Sequence, residues 1–306
     1  MMKVDVFAHV LPPRFYQKML SIEPALPQKF PFINHPLLTV PNQRNQYLPK
    51  DVYQIISAVN VNPEDYVNSE AAAEICQVGN QEIQSLVENN DRFIGGIAML
   101  PMNNISAAVK IIEGIPHNPE LIGVQIFTRA LGQSIADEQF QPIFAAASEN
   151  KVPLLLHPVF DNRKPDNNIV FSWEYEISQA MMQIVQADAF VKFPNLKIIV
   201  HHAGGMIPFF AERINHILPP EQSQDFQRFY VDTALLGNPK AIELAVSYFG
   251  VEHVLFGTDA PLGIAPAGAT AEIIKAIETA GLTSGQQAMI FSDNFNRLFT
   301  KEKQNG

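Results

Sequence analysis

The chain alternates between short runs of apolar, often β-branched residues and longer segments in which apolar positions recur every three or four residues. The first pattern is typical of a buried strand and the second of an amphipathic helix. A helical pattern follows most of the short runs, and this alternation predicts an α/β fold, a (β/α)₈ TIM barrel in which helices cover eight parallel strands. The predicted strands span residues 3–8, 53–61, 93–100, 121–127, 152–158, 196–202, 229–233 and 253–259.

A doubly wound open sheet is the competing architecture for such an alternation. Its phosphate-binding turn, Gly-x-Gly-x-x-Gly, is absent after the first predicted strand, which favours the barrel. Residues 10–50 contain many prolines and few charges, and they show a helical pattern only over residues 14–22. We interpret residues 10–50 as a long inserted loop region within a single barrel domain that spans residues 1–306.

Composition excludes several classes of protein. The 21 Lys and Arg residues against 31 Asp and Glu residues give a net charge of −10, which argues against nucleic acid or an anionic membrane as the main partner. No stretch of about 18 apolar residues predicts a membrane span, and no apolar signal sequence is recognised. The single cysteine, Cys76, excludes an internal disulfide framework. We expect a cytoplasmic protein.

Polar residues with metal-binding chemistry lie at the ends of four predicted strands. In a barrel of this kind the active site lies at the carboxyl ends of the strands. Imidazole and carboxylate groups are ligands that Zn²⁺ and related divalent ions take. Their placement predicts a metal centre, and histidines that serve only the core or a binding pocket are the alternative. The four residues are His9, His157, His202 and Asp259.

The sixth strand ends in two adjacent histidines, and alternation along a strand puts them on opposite faces. Ile198, Val200 and His202 share one face, whereas Ile199 and His201 share the other. At most one of the two histidines can point into the barrel. We assign His202 to the mouth of the barrel and expect His201 to face the helices as a structural residue.

Several segments resemble the amidohydrolase-related family that includes aminocarboxymuconate semialdehyde decarboxylase and the aromatic-acid decarboxylases. The resemblance implies a distorted barrel, often in homodimers, with one divalent metal. It implies metal ligation by His9, His157 and Asp259, which places Asp259 in the catalytic centre, and a catalytic acid/base role for His202. The segments are Val-Asp-Val-Phe-Ala-His at 4–9, Arg-Phe-Ile-Gly at 92–95, Leu-Pro-Met at 100–102, Gly-Val-Gln-Ile at 123–126, Leu-His-Pro at 156–158, Phe-Pro-Asn-Leu-Lys at 193–197, His-Ala-Gly-Gly at 202–205, Phe-Tyr-Val-Asp at 229–232 and Phe-Gly-Thr-Asp-Ala-Pro at 256–261.

The chain departs from this family at position 7. Many members open with His-x-His, whereas this chain has Phe7 two residues before His9. Both side chains face the same way on a strand, so a phenyl ring lies where a second imidazole would ligate. Three protein ligands still leave an open catalytic geometry. We expect weaker metal binding, with Zn²⁺ as the first choice and Mn²⁺ as the second.

The predicted centre supports two reactions. A divalent ion that holds a carboxylate, together with a proton donor such as His202, suits decarboxylation of a small aromatic or unsaturated acid. The same groups suit hydrolysis of a lactone or amide, and the resemblance favours the decarboxylase. A third hypothesis, suggested by Phe7, is a non-catalytic barrel that binds a metabolite without metal.

Other residues are candidates for contact with a small anionic substrate. Arg129 can pair with a carboxylate through its planar guanidinium, although solvation at the surface is the alternative, and the same holds for Arg163. Trp173 and Phe171 are expected to wall an apolar pocket for a planar substrate, and packing against a dimer partner is the alternative. Phe7 is a further expected contact for the substrate. Asp5 is expected to accept hydrogen bonds inside the fold.

Overall fold

The strands of the barrel form one curved parallel sheet. A computed structural model shows this architecture and describes residues 1–159 and 168–299. In chain order the strands are β1 (Lys3–Val10), β2 (Val52–Ala58), β3 (Phe93–Ala98), β4 (Leu121–Phe127), β5 (Arg129–Ala130), β6 (Gln133–Ser134), β7 (Leu154–His157), β8 (Ile198–Val200) and β9 (Tyr230–Val231). The sheet order is β1-β2-β3-β4-β7-β8-β9, and β5 and β6 form a separate antiparallel hairpin.

Residues 254–260 close the ring between β9 and β1 without forming a regular strand. Val254 makes a parallel bridge to Val231, and Ala260 makes one to Ala8. Backbone hydrogen bonds support both edges, such as Leu255 N–H to the Val231 carbonyl at 2.8 Å and Val6 N–H to the Phe256 carbonyl at 2.9 Å. The predicted (β/α)₈ barrel is confirmed, with the difference that its eighth position is an extended segment.

Alternation along the strands separates an inner layer from an outer core. On β7, Leu155 points into the barrel, whereas Leu154 and Leu156 pack against the helices. The inner layer contains Val4, Val6, Phe7, Ile55, Ile97, Leu155, Ile199 and Leu255. The barrel is therefore filled below its mouth, and a cluster of histidine and aspartate side chains lies at the carboxyl ends of the strands.

Helices cover the outside of the sheet. Helix α11 illustrates the local causes: the side chain of Asn238 accepts hydrogen bonds from two backbone N–H groups, Pro239 begins the helix, and Gly250 ends it at a φ of 82°. No helix within the described residues combines the length and the apolar character of a transmembrane span. The helices are α1 (Pro13–Ile22), α2 (Leu26–Lys29), α3 (Pro36–Thr39), α4 (Ser69–Glu88), α5 (Ile105–Gly114), α6 (Gln141–Glu149), α7 (Ser172–Gln186), α8 (Ala189–Lys192), α9 (Ala211–Ile217), α10 (Pro220–Asp225), α11 (Pro239–Phe249), α12 (Thr270–Thr279), α13 (Ser284–Ala288) and α14 (Asn294–Phe299), with a π-helical turn at Met289–Asp293.

The segment between β1 and β2 is folded more regularly than its composition predicts. It contains α1, α2 and α3 together with 3₁₀ turns, and Phe15 and Met19 of α1 are completely buried. Arg44, also completely buried, donates hydrogen bonds to the carbonyls of His9 (2.7 Å) and Ala260 (3.2 Å). This segment therefore fixes the backbone at the ends of β1 and of the closing segment.

Asp5 connects β1 to the strands on both of its sides. Its buried carboxylate accepts hydrogen bonds from Gln54 Nε2 at 2.9 Å, from Thr258 Oγ1 at 2.6 Å and from the backbone N–H groups of Phe7 and Thr258. Burial raises the pKa of Asp5 to about 7, although these four donors oppose the shift. The expected role of Asp5 as an internal acceptor agrees with these contacts, which hold Thr258 immediately before Asp259.

Candidate functional site

Four side chains converge at the mouth of the barrel. One ligand atom from each of them lies within 4.8 Å of the corresponding atoms of the other three. The three imidazoles are almost completely buried, and the carboxylate side chain is 14% exposed. The four residues are His9 at the end of β1, His157 at the end of β7, His201 after β8 and Asp259 in the closing segment.

Each imidazole is oriented through its Nδ1 atom. His9 Nδ1 lies 3.1 Å from Ser57 Oγ, His157 Nδ1 lies 2.8 Å from the Pro158 carbonyl, and His201 Nδ1 contacts the carboxylate of Asp232. Histidines that bind metals in proteins usually have their second ring nitrogen held in this way. The remaining ring nitrogens are therefore oriented before any ligand binds.

The atoms that face the centre of the cluster lack good hydrogen bonds. Asp259 Oδ1 lies 3.1 Å from His9 Nε2 and 3.4 Å from His201 Nε2. All three atoms are buried, and none has a well-aligned hydrogen-bond partner among the described residues. Buried polar atoms are rarely left in this state, and the cluster as a whole offers imidazole nitrogens and a carboxylate oxygen, a donor set that fits a divalent cation.

The charges of the cluster also suit cation binding. Burial lowers the pKa of His9 and lowers that of His157 well below its usual range. Burial acts to raise the pKa of Asp259, but the neighbouring imidazoles of His201 and His9 outweigh it and hold that pKa well below its usual value. Neutral imidazole and ionised carboxylate are the forms that ligate metals.

His201 carries a different charge. Burial acts to lower its pKa, but Asp232 and Asp259 outweigh that effect and raise it to about 10. Asp232 is itself held by the backbone N–H groups of Ala203 at 3.1 Å and Ala234 at 3.0 Å. His201 is thus a protonated imidazole placed between two carboxylates.

Phe7 packs among the three imidazoles without separating them. Its completely buried ring stacks on His201 at a centroid distance of 4.2 Å, and it lies 6.1 Å from His9 and 6.2 Å from His157. The three residues predicted to bind metal therefore meet despite the phenyl ring at position 7.

The sequence-based expectation for His201 is wrong. Ile199 belongs to the inner layer and Val200 to the outer core, so His201, two residues after Ile199, points into the mouth. Alternation does not hold for the second histidine, because β8 ends at Val200 and His202 has a positive φ. The two rings therefore lie side by side, with centroids 4.0 Å apart, rather than on opposite faces.

His202 lies beside the cluster and outside it. The backbone leaves the strand here, since His202 and Ala203 have φ angles of 52° and 53°. The Nδ1 atom of His202 lies 2.7 Å from Glu174 Oε1, and its ring centroid is 4.0 Å from that of His201. Gly205, at a φ of 62°, allows this turn to approach α7, because a Cβ atom there would lie 2.6 Å from the Glu174 carbonyl oxygen.

Trp173 lines the mouth, whereas Phe171 is 73% exposed and Arg129 is paired with Glu176. The Trp173 ring lies 5.7 Å from that of His157 and 6.1 Å from that of His202. Arg129 lies in the β5–β6 hairpin, and its Nε atom is 3.0 Å from Glu176 Oε2, so its guanidinium is paired rather than simply solvated. Arg163 lies outside the described residues.

Sequence reasoning did not identify the partners of the two histidines. No motif or periodicity in the sequence marks Glu174, Ser57 or Arg44 as partners. Asp232 follows the seventh strand in the Phe-Tyr-Val-Asp segment, which was the one available signal. The other three act through contacts between distant parts of the chain.

The barrel and its histidine–aspartate cluster define a metal-binding class of α/β barrel. The sequence matches the amidohydrolase family over residues 37–301, and the chain belongs to that family. The resemblance deduced from the sequence motifs is thereby confirmed.

Particular relatives are decarboxylases by name. The chain is 26% identical to 2-amino-3-carboxymuconate-6-semialdehyde decarboxylase of Dictyostelium discoideum over 77% of this chain and 71% of that protein. It is 26% identical to 6-methylsalicylic acid decarboxylase of Penicillium expansum over 62% of this chain and 64% of that protein. The structure of 5-carboxyvanillate decarboxylase from Novosphingobium aromaticivorans, complexed with manganese and 4-hydroxy-3-methoxy-5-nitrobenzoic acid, superposes with a TM-score of 0.82 at 15% identity, covering 98% of this chain and 96% of that one.

Proposed function

We propose that this protein is a divalent-metal-dependent decarboxylase, a carbon-carbon lyase that acts on a small aromatic or unsaturated carboxylic acid. The observation that carries the proposal is the buried cluster at the mouth, in which three inward-facing polar atoms lack well-aligned hydrogen-bond partners among the described residues. Membership of the amidohydrolase family and relatives named as decarboxylases support the same reaction.

His9, His157 and Asp259 are the residues that we propose to hold the cation. When bound, it would supply a positive charge that attracts the substrate carboxylate and a neighbouring oxygen. Two nitrogens and one oxygen suit Zn²⁺ and Mn²⁺ about equally. We propose Zn²⁺ first and Mn²⁺ second, and the structure of the Novosphingobium relative contains manganese.

His201 is the residue that we propose to deliver the proton, in place of His202. Its Nε2 atom faces the cluster, while Asp232 holds Nδ1. Protonation of the ring carbon that bears the carboxylate allows the carbon-carbon bond to break, with its electron pair returning to the ring as carbon dioxide leaves. His202, whose Nδ1 faces Glu174, is then a positioning residue next to His201.

Aromatic side chains around the cluster are proposed to contact the substrate ring. Trp173 lies against His157, and Phe7 lies against His201. Both are almost completely buried, and they exclude water from the charged groups. Arg129 is proposed as a further contact for the substrate carboxylate, while its Nε atom is held by Glu176.

The assembly and compartment are also proposals. The family resemblance supports a homodimer, which analytical ultracentrifugation would test. The single cysteine is buried and so supports a reducing compartment such as the cytoplasm.

Product analysis tests the proposed reaction. Protein loaded with Zn²⁺ or Mn²⁺ is incubated with 2-hydroxybenzoates, and separately with aromatic lactones and amides. We expect carbon dioxide and the corresponding phenol, because the site combines a cation-binding cluster with a proton donor. Ring opening of a lactone or cleavage of an amide without carbon dioxide release would instead identify a hydrolase. Less than about a tenth of an equivalent of bound metal after supplementation would exclude both reactions.

The substitution Phe7→His is expected to tighten metal binding. Position 7 lies on β1 two residues before His9, and its ring already contacts His201. An imidazole here would add a fourth ligand, and each 1.4 kcal/mol gained lowers the Kd about tenfold. We expect the Kd for Zn²⁺, measured by competition with a chelator, to fall at least about tenfold. Phe7→Leu is the control, and equal affinities of the two variants would show that position 7 does not face the cation.

A further inference from the structure

A second group of polar atoms lies in the barrel mouth, on the side of β2, β3 and β4. It surrounds a cavity of about 10 Å³, which is about the smallest space that holds one water-sized group. The cavity contains no proposed metal ligand among its lining residues. Those used in the argument below are Ala58, Glu64, Met99, Gln125 and Phe127.

The strand register places this cavity next to the metal cluster. On β4, Gln125 is in register with the inner residue Leu155, and Phe127 is in register with His157. Gln125 and Phe127 therefore point into the barrel. The Phe127 ring lies 5.9 Å from that of His157 and also lines the cavity, so it is the shared wall between the two sites.

Two of the residues that line this cavity each have a buried side-chain oxygen with no hydrogen-bond partner among the described residues, Glu64 Oε2 and Gln125 Oε1. Glu64 is only 7% exposed and Gln125 only 4% exposed. The orientation of the Gln125 amide is fixed, because its Nε2 atom donates to the Ala58 carbonyl at 2.9 Å. Its oxygen is therefore available to accept a hydrogen bond from a bound group.

The two groups have complementary hydrogen-bonding roles. Burial raises the pKa of the Glu64 carboxyl to about 8, so this group keeps its proton at neutral pH and can donate. The Gln125 oxygen can only accept. A hydroxyl group both donates and accepts, and it is small enough for the cavity.

We propose that Glu64 and Gln125 form a subsite for an uncharged hydroxyl substituent of the substrate, at a ring position away from the carboxylate. The inference rests on the proposed function, since it assumes that the carboxylate lies at the metal cluster. A carboxylate does not fit, because it would bring negative charge onto the Gln125 oxygen. A methyl group does not fit either, because it would leave both polar groups buried and unpaired.

The test compares ligands that differ at one substituent. The probes are 2-hydroxybenzoates that carry a second hydroxyl or a methyl group at C4 or C5. Their kcat/KM for carbon dioxide release is measured, and their Kd is measured by calorimetry in a His201→Gln background that is not expected to turn them over. Glu64→Met removes the polar group, and Glu64→Gln keeps an uncharged donor and acceptor. Glu70→Met is the matched control, because Glu70 is exposed.

We expect at least one dihydroxy acid to be preferred over its methyl analogue by about tenfold or more, since a site built for a hydroxyl discriminates strongly against analogues that lack it. Glu64→Met should reduce this preference to about twofold or less, whereas Glu64→Gln and Glu70→Met should keep it. Thermal unfolding of each variant checks that it is folded.

Each outcome separates the subsite from the proposed reaction. If the hydroxyl acid binds more tightly than the methyl acid and Glu64→Met removes this difference in Kd, the subsite is supported. If no carbon dioxide is formed in that case, only the proposed reaction is contradicted. If carbon dioxide is released and the ratio of kcat/KM for the hydroxyl acid over the methyl acid is the same in the parent protein and in Glu64→Met, the subsite is overturned and the proposed reaction is supported. Equal binding of hydroxyl and methyl acids, or binding of neither, also overturns the subsite.

Discussion

Replacing His157 with alanine is expected to remove both the metal and the activity. His157 is buried at the end of β7, and its Nδ1 atom is held by the Pro158 carbonyl, so the ring is fixed towards the cluster. Loss of a group that merely orients a ligand costs about 10- to 100-fold in metal affinity, and loss of the ligand itself should exceed this. We expect the Kd for Zn²⁺ to rise more than about 100-fold and carbon dioxide release to fall to background.

The matched control is His216→Ala, because His216 lies on α9 with its side chain 78% exposed. That variant should keep both metal and activity. Elemental analysis and chelator competition give the metal content, and circular dichroism with thermal unfolding shows whether the barrel is intact. A folded His157→Ala protein that binds Zn²⁺ as tightly as the parent would contradict the proposed ligand set.

Replacing His201 with glutamine is expected to keep the metal and to lower kcat by about 10²- to 10⁴-fold. This is the usual range for loss of a general acid or base. Glutamine is similar in length and can still donate to Asp232, but it cannot carry the proton. We expect metal content within about twofold of the parent protein, and KM should change much less than kcat because binding of the carboxylate does not depend on the proton.

His202→Gln provides the comparison, because the two histidines are adjacent in sequence and their ring centroids are 4.0 Å apart. We expect it to lower kcat by less than about tenfold. A larger loss in His202→Gln than in His201→Gln would return proton transfer to His202. Metal loss in His201→Gln equal to that in His157→Ala would make His201 a fourth ligand. The kcat and metal content together therefore distinguish three roles.

The hydrophobic pattern was sufficient for the fold because strand period and helix period are local properties. The inner position of Leu155 and the outer positions of Leu154 and Leu156 follow from simple alternation. Residues 253–259 were predicted as a strand from the same pattern, yet this part of the chain forms only bridges, from Val254 to Val231 and from Ala260 to Ala8. How many hydrogen bonds this segment makes to β9 and β1 depends on how the ring of strands closes, which is not a local property.

Residues 10–50 show where the hydrophobic pattern was not sufficient to predict the structure. Their many prolines suggested an irregular loop, but short helices form because apolar residues such as Phe15 and Met19 are buried against the rest of the barrel. Arg44 was not recognised, because a guanidinium that donates to the backbone of His9 and Ala260 leaves no periodic signal. Tertiary contacts outweigh local propensity in such a segment.

The sequence by itself determined the barrel, the acidic character of the chain and the presence of His9, His157 and Asp259 at strand ends. These follow from periodicity and residue type, which are read directly along the chain. Only the tertiary structure decided that His201 and not His202 enters the cluster, and that Asp232 and Glu174 are their respective partners. Alternation gives the relative orientation of neighbouring side chains, whereas the face that becomes the interior is decided by packing among strands distant in sequence.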